Sequence, residues 1–372
     1  KDIKSIQINK NQTKQFFYYE LNYTDFDLSP GDKLEYAFTI TDNDAVNNFK
    51  SSTSLRKVFA VPTLDSLDNL LSENNENLKN DIDKAKSESD RIKEEVKKIK
   101  NDLINKQSLD WKDKQNLENL LNMQESLQKK VDDLKQDFEQ NKMQEDEFLE
   151  NSEELKQKQE ELQKLLDELM DDEMRELMEE LQKLMDKMNK DQIIENLEEM
   201  ENKTETMEQE LDRTLELFKN MELDKKLENI EEQLKELAEE QKALAEQTEN
   251  KELSPVELAK KQDEINKKFD EIQKDIQEAK DKNENLETPR DLDFDKEMEN
   301  NIEEQTNESK ENLENGKSKK SQQNQKSAAE MMEQMADDIA AMKTSAASQQ
   351  AEEDMDAMRF LLENIVNLSQ QE

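Results

Sequence analysis

Between residues 162 and 188 apolar side chains recur at Leu162, Leu166, Met170, Met174, Leu177, Leu181, Leu184 and Met188, in steps of four, four, four, three, four, three and four. That spacing places them on one face of an α-helix. Leu165, Leu169, Met178 and Met185 widen the face beyond the narrow seam of a two-stranded coiled coil, so it expects more than one helical neighbour. Residues 227–245 follow the same rule with Leu227, Ile230, Leu234, Leu237, Ala238, Leu244 and Ala245.

The pattern predicts a series of long helices. The first runs from about Leu64 to Lys106, with Thr63 as its N-cap. Ser108 reopens helical sequence with Trp111 in the first turn. A third helix starts at Asn151 or Ser152, a fourth runs from Asp191 to Met221, and a fifth from Leu223 to about Thr248. Ser254-Pro255-Val256-Glu257 combines an N-cap, a proline at the first helical position and the glutamate of a capping box. Thr288-Pro289-Arg290-Asp291 repeats that logic more weakly. The turns are short, polar and glycine-free, which favours antiparallel neighbours.

Two segments break the rhythm. In residues 1–62, KLEYAFTIT alternates, with Leu34, Tyr36, Phe38 and Ile40 on one side. FFYYELNY and LRKVFAV are further strand candidates, and 1–62 reads as the trailing part of a β-sandwich. In 300–328, ESKENLENGKSKKSQQNQKS has one apolar residue, Leu313, and reads as a polar linker, a solvated helix or a mobile stretch. An Ala/Met-rich amphipathic helix follows over 329–372. The expected fold class is mainly α: long antiparallel amphipathic helices and coiled-coil hairpins over 63–299, preceded by a partial β-sandwich.

Composition explains why the stripes are narrow. Hydrophobic residues are 32% and charged residues 40% of the 372, with 2 glycines and 4 prolines. Such a chain makes helices with an apolar stripe more readily than a thick core. Its net charge of −41 repels phosphate backbones and anionic headgroups, which argues against nucleic acid as a partner and against membrane binding by this segment. There is no cysteine and no histidine, which removes thiol nucleophiles, imidazole bases and nearly all zinc, copper and haem sites. No run approaches the roughly 18 apolar residues of a membrane helix. Residue 1 is a lysine within strand-like sequence, so an anchor or signal upstream is expected.

Chemistry-bearing motifs are few. Asp42-Asn43-Asp44 lacks the spaced ligands of an EF-hand and reads as a turn. Asp171-Asp172-Glu173, Glu239-Glu240 and Glu352-Glu353-Asp354 are the carboxylate clusters that 95 acidic residues produce by composition; a glycosidase-type pair needs a cleft and an apolar pocket. Neither glycine sits in a phosphate-cradling loop. Lys317, Lys319, Lys320 and Lys326 form a basic patch, read as solvated or docked on an acidic helix. Trp111, the single tryptophan, reads as a staple of the second helix or as a partner contact. Eight of the 17 methionines lie between Met170 and Met221 and six between Met331 and Met358. They read first as interior seam and second as a client-binding groove, since methionine suits surfaces that accept varied partners. Capture of Cu(I) is a distant third.

ELDRTLELFKNMELDKKLENIEEQLKELAEEQKALAEQTEN (210–250), PGDKLEYAFTITDNDAV (30–46), KSSTSLRKVFAVPTLDSL (50–67) and AMRFLLENIVNLS (357–369) resemble a family of large Bacteroidota envelope proteins of unknown function. The family's sandwich usually has glycine after the DND turn, where Ala45 stands here. The resemblance implies N-terminal membrane helices outside this sequence, then β-rich domains, then long acidic coiled-coil helices. It also implies a periplasmic location tethered to the inner membrane, and it carries over no catalytic residue.

The expectation is therefore a non-enzymatic scaffold or docking arm of an envelope complex. The second hypothesis is a holdase-type chaperone for exported or outer-membrane chains, associated with the translocon. An enzyme is the weakest of the three. The partners expected are other envelope proteins or unfolded exported clients, with membrane contact only through segments outside this chain and no cofactor. Candidate interaction residues are Trp111, Met170, Met174, Met178, Met185, Met188, Met331, Met335 and Met342.

Overall fold

The computed structural model describes residues 4–6, 26, 28, 31–42, 49–149, 151–169 and 172–371, with side chains to residue 345 except at 64, 65, 68, 148 and 172. The chain is mainly α, about 80% helical, with two small antiparallel sheets. Its elements are β1 (Lys33–Tyr36), β2 (Thr39–Thr41), β3 (Ser51–Thr53), β4 (Lys57–Ala60), α1 (Leu64–Ile104), α2 (Trp111–Phe148), α3 (Glu153–Glu168), α4 (Asp172–Lys187), α5 (Lys190–Asn250), α6 (Pro255–Glu284), α7 (Lys296–Glu314) and α8 (Ser318–Gln371). They fall into two compact units, residues 1–76 with 143–150, and residues 77–142 with 151–372.

In the first unit the described strands form one bulged hairpin. β1 pairs with β4, and β2 with β3. Tyr36 faces Lys57 and Thr39 faces Thr53, so Ala37 and Phe38 oppose three residues, 54 to 56. Ser54 repairs the ladder across this bulge. Its N–H donates to the Phe38 carbonyl (2.8 Å) and its Oγ accepts from the Phe38 N–H (3.0 Å). The base closes through Gly31, whose N–H donates to the Pro62 carbonyl (3.0 Å) at φ +88°, a conformation that favours glycine. Asp42 clasps the other end with Lys50, its Oδ1 accepting from the Lys50 N–H (2.9 Å). Asn43 and Asp44, like FFYYELNY, lie outside the described residues. Of the alternating face, Leu34 and Tyr36 are half-buried, with Phe59 opposite Leu34, while Phe38 and Ile40 are exposed among the described residues.

The second unit holds two four-helix bundles that share α5. In the first bundle α1 runs antiparallel to α5, through the Lys93–Glu208 and Lys100–Glu201 ion pairs. α2 is tied to α1 by Lys130–Glu88, to α3 by Gln163–Glu139 (3.4 Å) and to α4 by Lys114–Asp186 (3.3 Å). α3 and α4 together occupy one bundle position against α5, through Arg213–Glu161 (2.9 Å) and Lys203–Glu173. The interior is a single cluster that includes Ile92, Leu120, Leu166, Leu181 and Phe218. Where the sequence predicts one helix from 152 to 188, the described residues give two, α3 ending at Glu168 and α4 starting at Asp172.

The second bundle comprises α5 from Leu223 onward, α6, α7 and α8. Lys268–Glu240 (2.6 Å), Lys310–Asp263, Asn324–Glu308 (2.8 Å) and Lys343–Glu231 (3.1 Å) link the four helices in turn. Ser254 and Glu257 form the capping box read from the sequence, with Glu257 N–H to Ser254 Oγ at 3.4 Å and Ser254 N–H to Glu257 Oε2 at 2.9 Å. Thr288-Pro289 does not start α7; that role falls to Asp295, whose Oδ1 accepts from the N–H groups of Glu297 (2.9 Å) and Met298 (3.0 Å).

Two sequence expectations change here. First, the helices predicted at 191–221 and 223–248 are one helix of 61 residues, roughly 90 Å long. Met221 is the last residue of α5 in the first core and Leu223 the first in the second. Two residues are about 200° apart around a helix, so the stripe changes face there while the backbone continues unbroken. Second, 300–328 is not a linker. It forms the end of α7, a turn at Gly316 (φ +69°) and the start of α8, with Ile302, Thr306, Ser309, Leu313, Ser321 and Gln325 buried.

α5 ends on Lys251 in the left-handed conformation, φ 55° and ψ 39°, with its N–H on the Gln247 carbonyl. A side chain there is strained by about 1–2 kcal/mol. Replacing Lys251 with glycine is expected to raise stability by about 1 kcal/mol. The readout is the thermal midpoint, and a lower midpoint for the Lys251→Gly variant would count against a strained cap.

Candidate functional site

The most concentrated electrostatics lie where α5 passes between the two cores. Asp224 is buried on α5, within the stripe that runs from Phe218 to Ile230. Arg290, from the 285–295 loop after α6, meets it with its guanidinium. One amino group bonds the near carboxylate oxygen, the other lies 3.2 Å from Oδ2 and 2.7 Å from Asn220 Oδ1, and Nε donates to that same Asn220 oxygen at 3.1 Å. Lys158 of α3 bonds the carboxylate from the other side. Asn283 at the end of α6 holds the loop, its Nδ2 donating to the Arg290 carbonyl (2.8 Å) and its Oδ1 accepting from the Arg290 N–H (2.9 Å). One carboxylate thus joins α3, α5 and the α6–α7 loop. Burial pushes its pKa up, but Arg290 and then Lys158 outweigh burial and hold it below the usual carboxylate range. A carboxylate locked between two cations is a strut rather than an acid or a base.

A second polar cluster crosses the interior of the second bundle. Gln262 Oε1 accepts from Gln241 Nε2 (3.1 Å), Ser309 Oγ (2.8 Å) and Gln325 Nε2 (3.1 Å). Its Nε2 donates to Gln241 Oε1 (2.7 Å) and Asn266 Oδ1 (3.1 Å), and the Ser309 and Ser321 hydroxyls are 2.8 Å apart. All four helices contribute, and Gln241, Gln262, Ser309, Ser321 and Gln325 are fully buried.

A carboxylate pair, Asp90 of α1 and Glu208 of α5, sits on the first bundle. Burial, and then the hydrogen bond to Glu208, push Asp90 up, while Lys93 first of all draws Glu208 down. Opposite shifts in one pair are the signature of acid–base partners, but Lys93 pairs with both carboxylates and Asp90 is close to half exposed. It is an ion-pair network between two helices.

No family model, curated protein or solved structure matches the chain. The site therefore rests on its own geometry. Among the described residues no helix is long and apolar enough to cross a membrane.

The residues singled out from the sequence separate into two groups. Met174, Met178 and Met185 are buried in the first core, Met335 in the second, and Met331 and Met342 pack partly buried against the second. These faces are occupied by sister helices, as their width demanded. Met170 lies outside the described residues. Trp111 and Met188 are not inside: Trp111 is 77% exposed and Met188 52% exposed. Trp111 is not a staple, because it is the first residue of α2 and the inward position of that turn goes to Asp113. Asp113 is buried, with its Oδ2 accepting from the Asp110 N–H (3.0 Å) and its Oδ1 bound to Lys106 (2.6 Å). Of the basic patch, Lys326 reaches Glu249 at 3.3 Å and Lys320 reaches Glu308 at 3.8 Å, both within the bundle.

Sequence reading missed the Asp224–Arg290 strut and the glutamine layer. A signal for the first was present, since Asp224 interrupts the apolar series Phe218, Met221, Leu227, Ile230 at an inward position. Gln241 likewise stands where the stripe of 227–245 skips from Ala238 to Leu244.

Proposed function

We propose that the chain is a non-enzymatic scaffold, a docking arm that holds partner proteins of an envelope assembly at a set separation. The observation that carries this reading is α5, one unbroken helix whose buried residues belong first to one bundle core and then to the next. Two bundles on a common helix resist bending at their junction, and the Asp224–Arg290–Lys158 strut braces that junction. A spacer needs such stiffness. A holdase needs an accessible apolar groove, and six of the candidate methionines are committed to cores instead. The resemblance to envelope proteins motivates the periplasmic placement, with tethering to the inner membrane by segments outside this sequence.

Crosslinking with mass spectrometry on the native assembly tests the reading. Intrachain links are expected to match the bundle pairs, such as Lys268–Glu240 and Lys343–Glu231. Links to a small, reproducible set of folded envelope proteins are expected from the outer helix faces. Intrachain links incompatible with closed bundles, together with links to many unrelated exported chains, would replace the scaffold with the holdase.

A further inference from the structure

The described second unit has four exposed large apolar side chains, and three of them, Ile104, Trp111 and Met188, lie in two turns at the same end of the first bundle. The turns touch. Lys190 Nζ donates to the Lys106 carbonyl (2.8 Å), and Lys114 pairs with Asp186 (3.3 Å). The cluster is built rather than frayed. Asp110 and Asp113 cap α2 reciprocally, Asp113 N–H to Asp110 Oδ1 at 2.9 Å and Asp110 N–H to Asp113 Oδ2 at 3.0 Å, which holds Trp111 outward. Met188 occupies a left-handed position (φ 55°) where glycine or asparagine would sit without strain.

Charge sets this end apart. Residues 101–114 and 183–192 hold six lysines and five aspartates, net +1, which leaves −42 on the rest of a chain of −41. Charges more than about 8 Å away are largely screened at physiological ionic strength, so a surface meeting this end feels the acidic helices behind it only weakly. The chain's repulsion from anionic headgroups is weakest where the local charge is positive. Tryptophan beside aliphatic side chains and lysines is the composition that settles at a membrane–water interface. Three side chains fall short of the roughly 800 Å² per partner of a stable protein contact, whereas a bilayer surface requires no matched area.

We propose that this end of the first bundle contacts the interfacial layer of a phospholipid bilayer, with Trp111, Ile104 and Met188 entering the headgroup–acyl boundary. The inference does not depend on the scaffold reading and would hold for any function of the bundles. Because Trp111 is the only tryptophan, its fluorescence reports this end alone. On mixing the full chain with phosphatidylcholine–phosphatidylglycerol vesicles, the emission is expected to shift to the blue and to be quenched by brominated acyl chains. Ile104→Glu and Met188→Glu, both at exposed positions, are each expected to weaken partitioning by about tenfold while leaving the circular-dichroism melt unchanged. Emission that ignores the vesicles overturns the proposal. So does a blue shift that grows with protein concentration in their absence, which would assign this end to a second copy of the chain.

Discussion

Asp224→Ala is expected to lower the unfolding free energy by about 3–5 kcal/mol, the cost of stripping one partner from a buried ion pair. The remaining Arg290 and Lys158 stay largely enclosed, at 14% and 19% exposure, with no anion between them. Asp224→Asn keeps the shape and loses the charge, so a smaller loss is expected. Asp224→Ala combined with Arg290→Met removes one stranded cation and recovers part of the loss. Urea unfolding followed by circular dichroism at neutral pH supplies the numbers. A loss below about 1 kcal/mol for Asp224→Ala would mean that the carboxylate is an ordinary surface charge.

The same strut has a defined pH dependence. The folded pKa of Asp224 lies below its ordinary value of 3.8. A depressed carboxylate stabilises the fold at every pH above the unfolded value, and that stability disappears as pH falls through the folded one. The gap between the native chain and Asp224→Asn should be constant at neutral pH and close progressively below pH 3.8. Taking the difference between the two proteins cancels the relief of self-repulsion that acid brings to so anionic a chain.

The glutamine layer predicts opposite outcomes for one substitution and for several. Gln262→Leu alone removes the common partner of Gln241, Ser309 and Gln325 and leaves their polar groups buried without it. At about 1–3 kcal/mol for each unsatisfied group, a loss of roughly 3 kcal/mol or more is expected. Replacing the whole layer, with Gln241, Gln262 and Gln325 changed to leucine and Ser309 and Ser321 to alanine, is expected to restore stability at least to that of the native chain. It should cost uniqueness, because a buried polar layer is what fixes the register of otherwise repetitive apolar faces. α8 offers such a face with Ala328, Ala329, Met332, Met335 and Ala336. A zero-length crosslink between Lys242 and Glu333 reads the register directly. It should form in the native chain and give way to a mixture of links in the apolar variant. A neutral or stabilising Gln262→Leu would show that the layer does not act as a unit.

Much of the fold was legible because the helix signal is local. A stripe at 3.6-residue spacing, a capping box at Ser254–Glu257 and the N-cap at Thr63 each depend on a few neighbouring residues, and each is where the sequence places it. Errors came where distant partners decide. The boundary near Met221 is real as a change of core, yet no proline or glycine accompanies it, so α5 continues. Residues 300–328 looked solvated because they are polar, and polarity along one chain does not reveal whether partners await inside. Ser309 finds Gln262 at a sequence distance of 47 and Gln325 finds it at 63. Trp111 looked like a staple because tryptophan is large and apolar, but it falls on the outward side of a turn whose inward position belongs to Asp113.

By itself, then, the sequence determined that this protein is mainly helical, acidic and built from amphipathic stripes too wide for a single partner, since periodicity and charge are properties of neighbouring residues. Only the tertiary structure decided which helices share a core, that Asp224 and Arg290 brace the junction of two bundles, and that Gln262 gathers donors from three other helices. It also brought Ile104, Trp111 and Met188 to one end. Burial of a polar group is stable only when another element delivers its partner, and no local pattern records which element that will be.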